Sequence, residues 1–237
     1  MRKIFDFDSD WRYHAETPDD ARQSDTYGAM YVSAKTERIK SGPGAYHHFD
    51  VENSWDYDSE IPPEKWENVT LPHDYIIKQT PDAACGSAPG FFHYHNAWYR
   101  KHFQVDASMH GQRILLLFDA ISGNSTIYLN GCLIRYNHCA YTPVAVDISD
   151  YVYYDRENVV AVHIDMSLIE GWWYRGAGIY RHAKMIVTDR LCVDLYGSFV
   201  YPVLQDCTWQ VPVETTVRNG RIGRFDSYFP PVRAVRQ

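Results

Sequence analysis

Two short apolar runs joined by Asn130-Gly131 limit what this chain can fold into more than any other feature. Ser125-Thr126-Ile127-Tyr128-Leu129 and Cys132-Leu133-Ile134-Arg135 have the length and residue types of strands. Asn-Gly between such runs is a strong hairpin signal, because a type I′ turn needs φ > 0 at both central positions. Upstream, Ile114-Leu115-Leu116-Leu117-Phe118 is a continuous apolar run, the mark of a strand buried on both faces. Val144–Ser149 and Val159–Ile164 repeat the strand pattern, and the second ends on Asp165. No sustained 3.6-residue periodicity competes with these runs. The expectation is all-β: a jelly-roll-like β-sandwich over residues 1–187.

The flanking segments are less regular. Ile4, Phe5, Phe7, Trp11 and Tyr13 suggest an opening strand and turn, whereas the pattern breaks down from Thr17 to Ser59. That stretch reads as a long loop or insertion, with a hairpin at Met30–Val32 as its one regular candidate. Pro72 should end a short strand at Val69–Leu71, and Asp74 should form an Asx-turn. After the Gly/Ala-rich link Ala83–Gly90, Phe91–Phe103 reads as another strand region. Ala183–Val187 should lead out of the first domain. Leu191–Tyr196 and Trp209–Val217 look like further strands, too few to close a sandwich of about seven. The chain is therefore expected to stop partway through a second domain, residues 188–237, whose last part reads as tail.

Composition narrows the function. Lys and Arg number 23 against 30 Asp and Glu, a net charge of −7 that argues against nucleic acid or an anionic membrane as partner. The amino terminus lacks the apolar run of a signal peptide, and no segment has transmembrane length. Five cysteines without a C-x-x-C pair read as free thiols in a reducing, cytoplasmic setting.

Several strings occur in a telling order. They are Trp66-Glu67-Asn68-Val69-Thr70-Leu71-Pro72-His73-Asp74-Tyr75, then Ala97-Trp98-Tyr99-Arg100-Lys101-His102-Phe103. Phe118-Asp119-Ala120 and Ile127-Tyr128-Leu129-Asn130-Gly131 follow, and after them Tyr141-Thr142-Pro143 and Asn158–Asp165. The last is Trp172-Trp173-Tyr174-Arg175-Gly176-Ala177-Gly178-Ile179-Tyr180-Arg181. Together they resemble the N-terminal sugar-binding domain of glycoside hydrolase family 2, the β-galactosidase and β-glucuronidase group. The resemblance implies a galactose-binding-like jelly roll followed by a partial immunoglobulin-like β segment. It also implies a retaining enzyme whose two glutamates sit on a (β/α)8 barrel, one of them in an Asn-Glu pair. No Asn-Glu pair occurs here, and no βα alternation could build a barrel. The chain is thus expected to carry no catalytic residue and to be inactive alone.

By the same resemblance it is a non-catalytic portion of a β-galactosidase-like enzyme. Its partners would be a carbohydrate, met through the full-length enzyme, and the catalytic barrel, with homo-oligomer contacts as a further role of such domains. The alternatives are a free-standing carbohydrate-binding module or a β-glucuronidase or β-mannosidase fragment.

The candidate substrate contacts are Asp165, Trp172, Trp173 and Arg175. Aromatic faces beside an arginine fork suit flat, hydroxyl-rich ligands, although each ring could equally pack on the domain's own core. Asp165 ends a buried strand beside this loop, where family members place an aspartate near the active site; an ordinary strand-end turn is the competing reading. His73-Asp74 invites a catalytic role but has no nucleophile or second carboxylate beside it in sequence, so a structural corner is preferred. His93 and His95 would share one face of a strand, but zinc needs at least a third protein ligand and none is evident nearby. No metal or cofactor is assigned.

Overall fold

The computed structural model describes residues 2–16, 66–130, 132–167 and 175–220. The first strands are β1 (Lys3–Asp6), β2 (Trp11–Ala15), β3 (Glu67–Val69), β4 (Ala97–Phe103) and β5 (Arg113–Phe118). The hairpin strands β6 (Asn124–Leu129) and β7 (Cys132–Asn137) follow, then β8 (Val144–Asp147), β9 (Asn158–Asp165) and β10 (Ala183–Thr188). Beyond them lie β11 (Leu191–Val200), β12 (Val203–Gln205), β13 (Thr208–Gln210) and β14 (Val213–Asn219). A four-stranded sheet runs β1-β10-β5-β8, and a six-stranded sheet runs β3-β2-β4-β9-β6-β7. The described part is an antiparallel β-sandwich, as expected.

Alternation along each strand explains the core. Ile114, Leu116 and Phe118 of β5 face inward with Val160, Val162 and Ile164 of β9, and Trp11 of β2 lies fully buried among them. Trp11 donates Nε1–H to the Phe7 carbonyl at 2.8 Å and meets Phe118 edge-on at 6.1 Å, so one ring ties the two sheets together. The outward residues Leu115 and Leu117 are buried as well, under Leu195 of β11 and beside Ile186 of β10. That cover is why β5 reads as an unbroken apolar run. On the outer side of the six-stranded sheet, Trp66, Trp98 and Tyr128 pack around Ala161.

β6 and β7 pair antiparallel as expected, with Leu129 opposite Cys132, and Asn130 after β6 has φ +50°. Several boundaries differ from expectation. The opening segment is two strands in different sheets, because β1 joins β10 while β2 joins β3 and β4. β10 is a central strand of the four-stranded sheet, between β1 and β5. Trp209 and Val213–Val217 belong to separate strands, the first pairing in the β12–β13 hairpin and the second with β11. The candidate hairpin at Met30–Val32 lies outside the described residues. Among the described residues no helix is long and apolar enough to cross a membrane.

Candidate functional site

One end of the six-stranded sheet gathers the polar ends of four strands. β2 ends at Ala15 opposite Ala97, the first residue of β4; Ala97 faces Ile164, and Asp165 faces Asn124, the first residue of β6. Glu16, Asn96, Asn124 and Asp165 stand at these strand ends and line one rim.

Asp165 is held from several sides. Its Oδ1 accepts the Ser167 backbone N–H at 2.9 Å in an Asx-turn, and the Ser167 side chain bonds the carboxylate as well. Burial pushes its pKa up, but the Ser167 hydrogen bonds and the nearby His163 outweigh this and hold it below the ordinary carboxylate value. The group is therefore an ionised acceptor at neutral pH. Asn96 Oδ1 accepts the Met166 N–H at 2.9 Å, fixing the chain just past the carboxylate. Gly123, with φ +66°, lies so close that a Cβ there would come within 2.6 Å of the Asp165 carbonyl oxygen. His163 Nε2 stands 3.3 Å from Glu16 Oε2, and its ring lies 4.5 Å from that of Trp98.

Arg175 is placed through the segment before β4. Its guanidinium sits 4.9 Å from the centre of the Tyr94 ring, and its backbone N–H points to the Tyr94 hydroxyl at 3.5 Å. Tyr94 precedes Asn96 by two positions, so one segment supports both Arg175 and the turn after Asp165. Trp172 and Trp173 lie outside the described residues.

His73 and Asp74 form a structural corner. Asp74 Oδ1 accepts the N–H groups of Ile76 and Ala177, each at 3.0 Å, the first being the expected Asx-turn. The backbones interlock further, through His73 N–H to the Ile179 carbonyl and Tyr75 N–H to the Ala177 carbonyl. Buried His73 has Nδ1 2.7 Å from the Tyr99 hydroxyl, while Nε2 finds no partner among the described residues. The pair thus spends its polar atoms anchoring the Gly176–Ile179 loop.

This corner has a pH signature. Burial first, then the Lys78 charge, lowers the His73 pKa from 6.5, against opposing pulls from Glu67 and Asp74. The unfolded chain binds that proton more tightly, so the contribution to stability is complete above about pH 6.5 and is lost as pH falls through this value. Glu16 adds a second limb. Burial raises its pKa but the His163 hydrogen bond and charge lower it further, so its contribution fades only below about pH 4.5. Urea midpoints should fall between pH 7 and 5, and His73→Leu should flatten that limb. An unchanged slope in this variant would remove His73 as the cause.

The histidines before β4 depart from expectation. They precede the strand and point to different places, His95 Nε2 to the Tyr13 hydroxyl at 2.9 Å and His93 Nε2 to Asp82 Oδ2, also at 2.9 Å. Cys85 lies beside the second pair. Glu16, Asn96 and Asn124 were not identified from sequence either, since a polar residue flanking an apolar run carries no signal of its own.

Residues 49–189 match the family model described as "Glycosyl hydrolases family 2, sugar binding domain". The chain belongs to glycosyl hydrolase family 2. It is 32% identical over 142 residues to the β-galactosidase BoGH2A of Bacteroides ovatus, covering 57% of this chain and 16% of that protein. A β-galactosidase of Thermoanaerobacter pseudethanolicus is 26% identical over 233 residues, 93% of this chain and 25% of its own length. Among solved structures, a family 2 member from Bacteroides cellulosilyticus superposes with a TM-score of 0.68 at 28% identity, over 92% of this chain and 25% of that one. The chain spans a quarter or less of the length of these relatives. Their fold match agrees with an N-terminal family 2 β-sandwich.

Proposed function

We propose that this chain is the non-catalytic N-terminal portion of a retaining family 2 β-glycosidase, a β-galactosidase in preference to a β-glucuronidase or β-mannosidase. It contributes one wall of the substrate pocket. The observation that carries this reading is the Asp165 carboxylate, kept ionised at the sheet end. Such a carboxylate can accept a sugar hydroxyl in a charge-assisted hydrogen bond. Arg175, braced by Tyr94, and the two tryptophans before it would supply the adjoining flat surface.

Residues 1–187 form the sugar-binding domain in this reading, and residues 188–237 begin an immunoglobulin-like one. Cys85, Cys139, Cys192 and Cys207 form no disulfide among the described residues, which suits a cytoplasmic setting. The chain alone should hydrolyse no aryl glycoside, since the two carboxyl groups of a retaining enzyme belong to the barrel.

The test is Asp165→Asn in the full-length enzyme. A lost charge-assisted hydrogen bond should lower kcat/KM on nitrophenyl β-galactoside by about 30-fold, with the urea midpoint little changed. An unaltered kcat/KM would remove Asp165 from the pocket.

A further inference from the structure

Between Gln79 and His93 the chain folds back and closes on itself. The Gln79 side chain clasps the His93 backbone from both sides, Nε2 donating to the carbonyl at 2.9 Å and Oε1 accepting the N–H at 3.1 Å. Inside that clasp the Asp82 N–H donates to the Phe91 carbonyl at 2.6 Å, and the Phe91 N–H donates to the Gly86 carbonyl at 3.0 Å. A single 3₁₀ turn, Ala83–Cys85, starts from Asp82, whose Oδ1 accepts the Ala84 N–H at 2.8 Å. That bond occupies one carboxylate oxygen and turns Oδ2 toward His93. The turn also brings Cys85 round, its N–H donating to the Asp82 carbonyl at 3.1 Å.

We propose that Asp82, Cys85 and His93 bind a divalent transition-metal ion of the zinc type, with water completing a tetrahedral shell. One ligand atom from each of the three side chains lies within 4.8 Å of the others, and His93 Nε2 is 2.9 Å from Asp82 Oδ2. Metal–ligand bonds of about 2.0–2.3 Å put the donor atoms of tetrahedral zinc roughly 3.3–3.6 Å apart. The required movement is small, and the His93 side chain, 62% exposed, is free to make it. One oxygen, one sulfur and one imidazole nitrogen suit zinc and its neighbours; calcium and magnesium prefer oxygen alone.

Binding releases the Cys85 thiol proton to solvent, and the His93 ring takes the tautomer that leaves Nε2 a lone pair, so affinity rises with pH. Tyr94 follows His93 and carries the ring under Arg175. A bound ion would therefore brace that segment, yet the site stands whether or not the Asp165 rim meets sugar.

The experiment is a cobalt(II) titration of the untagged, reduced chain. The expected result is saturation at one equivalent, with a near-ultraviolet thiolate-to-cobalt charge-transfer band and the visible bands of four-coordinate cobalt, both bleached by zinc. Cys85→Ser should abolish the charge-transfer band, and His93→Gln should weaken binding by roughly 100-fold. Cys139→Ser and Cys207→Ser should leave the spectrum unchanged. Circular dichroism of the metal-free Cys85→Ser chain should match the parent, separating lost ligation from lost folding. No charge-transfer band at one equivalent, or a band that survives Cys85→Ser, would overturn the site.

Discussion

Gly178→Ala is expected to destabilise the sandwich by about 3–5 kcal/mol, combining backbone strain with overpacking. Gly178 has φ +125°, a conformation that side chains of L-residues rarely adopt. A Cβ there would also run into the His73 carbonyl and come within 2.5 Å of the Tyr99 hydroxyl. Neither neighbour can retreat cheaply. His73 is tied to Ile179 and Tyr99, and Ser122 brackets Gly178, donating from its backbone N–H and its hydroxyl to the Gly178 carbonyl at 3.0 Å each. The Gly178 N–H in turn donates to Ser122 Oγ. Gly111→Ala is the matched control, since Gly111 has φ +80° but open space where its Cβ would go. It should cost only the backbone term, about 1–2 kcal/mol. Urea denaturation of both variants decides the matter: equal losses would show that the corner yields and that the close approach is unimportant.

Asn158→Leu should cost about 3 kcal/mol although it leaves almost no cavity. Asn158 is fully buried at the start of β9 and uses both ends of its amide. Oδ1 accepts the Tyr153 N–H at 2.7 Å and Asn130 Nδ2–H at 3.0 Å, while Nδ2 donates to the Tyr153 carbonyl at 2.8 Å. Asn130, itself buried, donates also to the Tyr151 carbonyl at 2.9 Å and accepts the Val159 N–H at 2.9 Å. The two amides lock the β6–β7 turn to the loop entering β9. Leucine keeps the volume but removes the amide that pairs with the Tyr153 N–H and carbonyl, and those lost hydrogen bonds are the source of the loss. A urea midpoint within about 1 kcal/mol of the parent would mean that water reaches these groups and the network is not structural.

Much of the sandwich was legible in the residues, because its signals are local. Period-two alternation, the apolar run of β5 and the Asn130-Gly131 turn depend on neighbouring side chains and on backbone preferences that act within a few positions. The ordered strings along the chain also pointed to family 2. What sequence could not disclose was long-range pairing. β10 lies between β1 and β5 because burial favours a central place for its apolar face, and Leu195 covers the outer side of β5 from a later strand.

The site divides in the same way. Asp165 could be singled out because it ends an apolar run. Its partners Asn96, Glu16 and Asn124 come from other strands, joined only by register. The glycines of the Gly176–Ile179 loop suggested a turn, but the need for them arises from the Asp74 carboxylate and the His73 carbonyl packed against them. His93 shows the limit most clearly. Spacing alone paired it with His95, as strand geometry would, whereas the folded loop turns His95 to Tyr13 and brings His93 to Asp82 and Cys85. Local sequence thus determined where strands and turns form, since those preferences are properties of adjacent residues. Tertiary structure decided which distant side chains meet, since that follows from loop closure and from burying both faces of the sheets together.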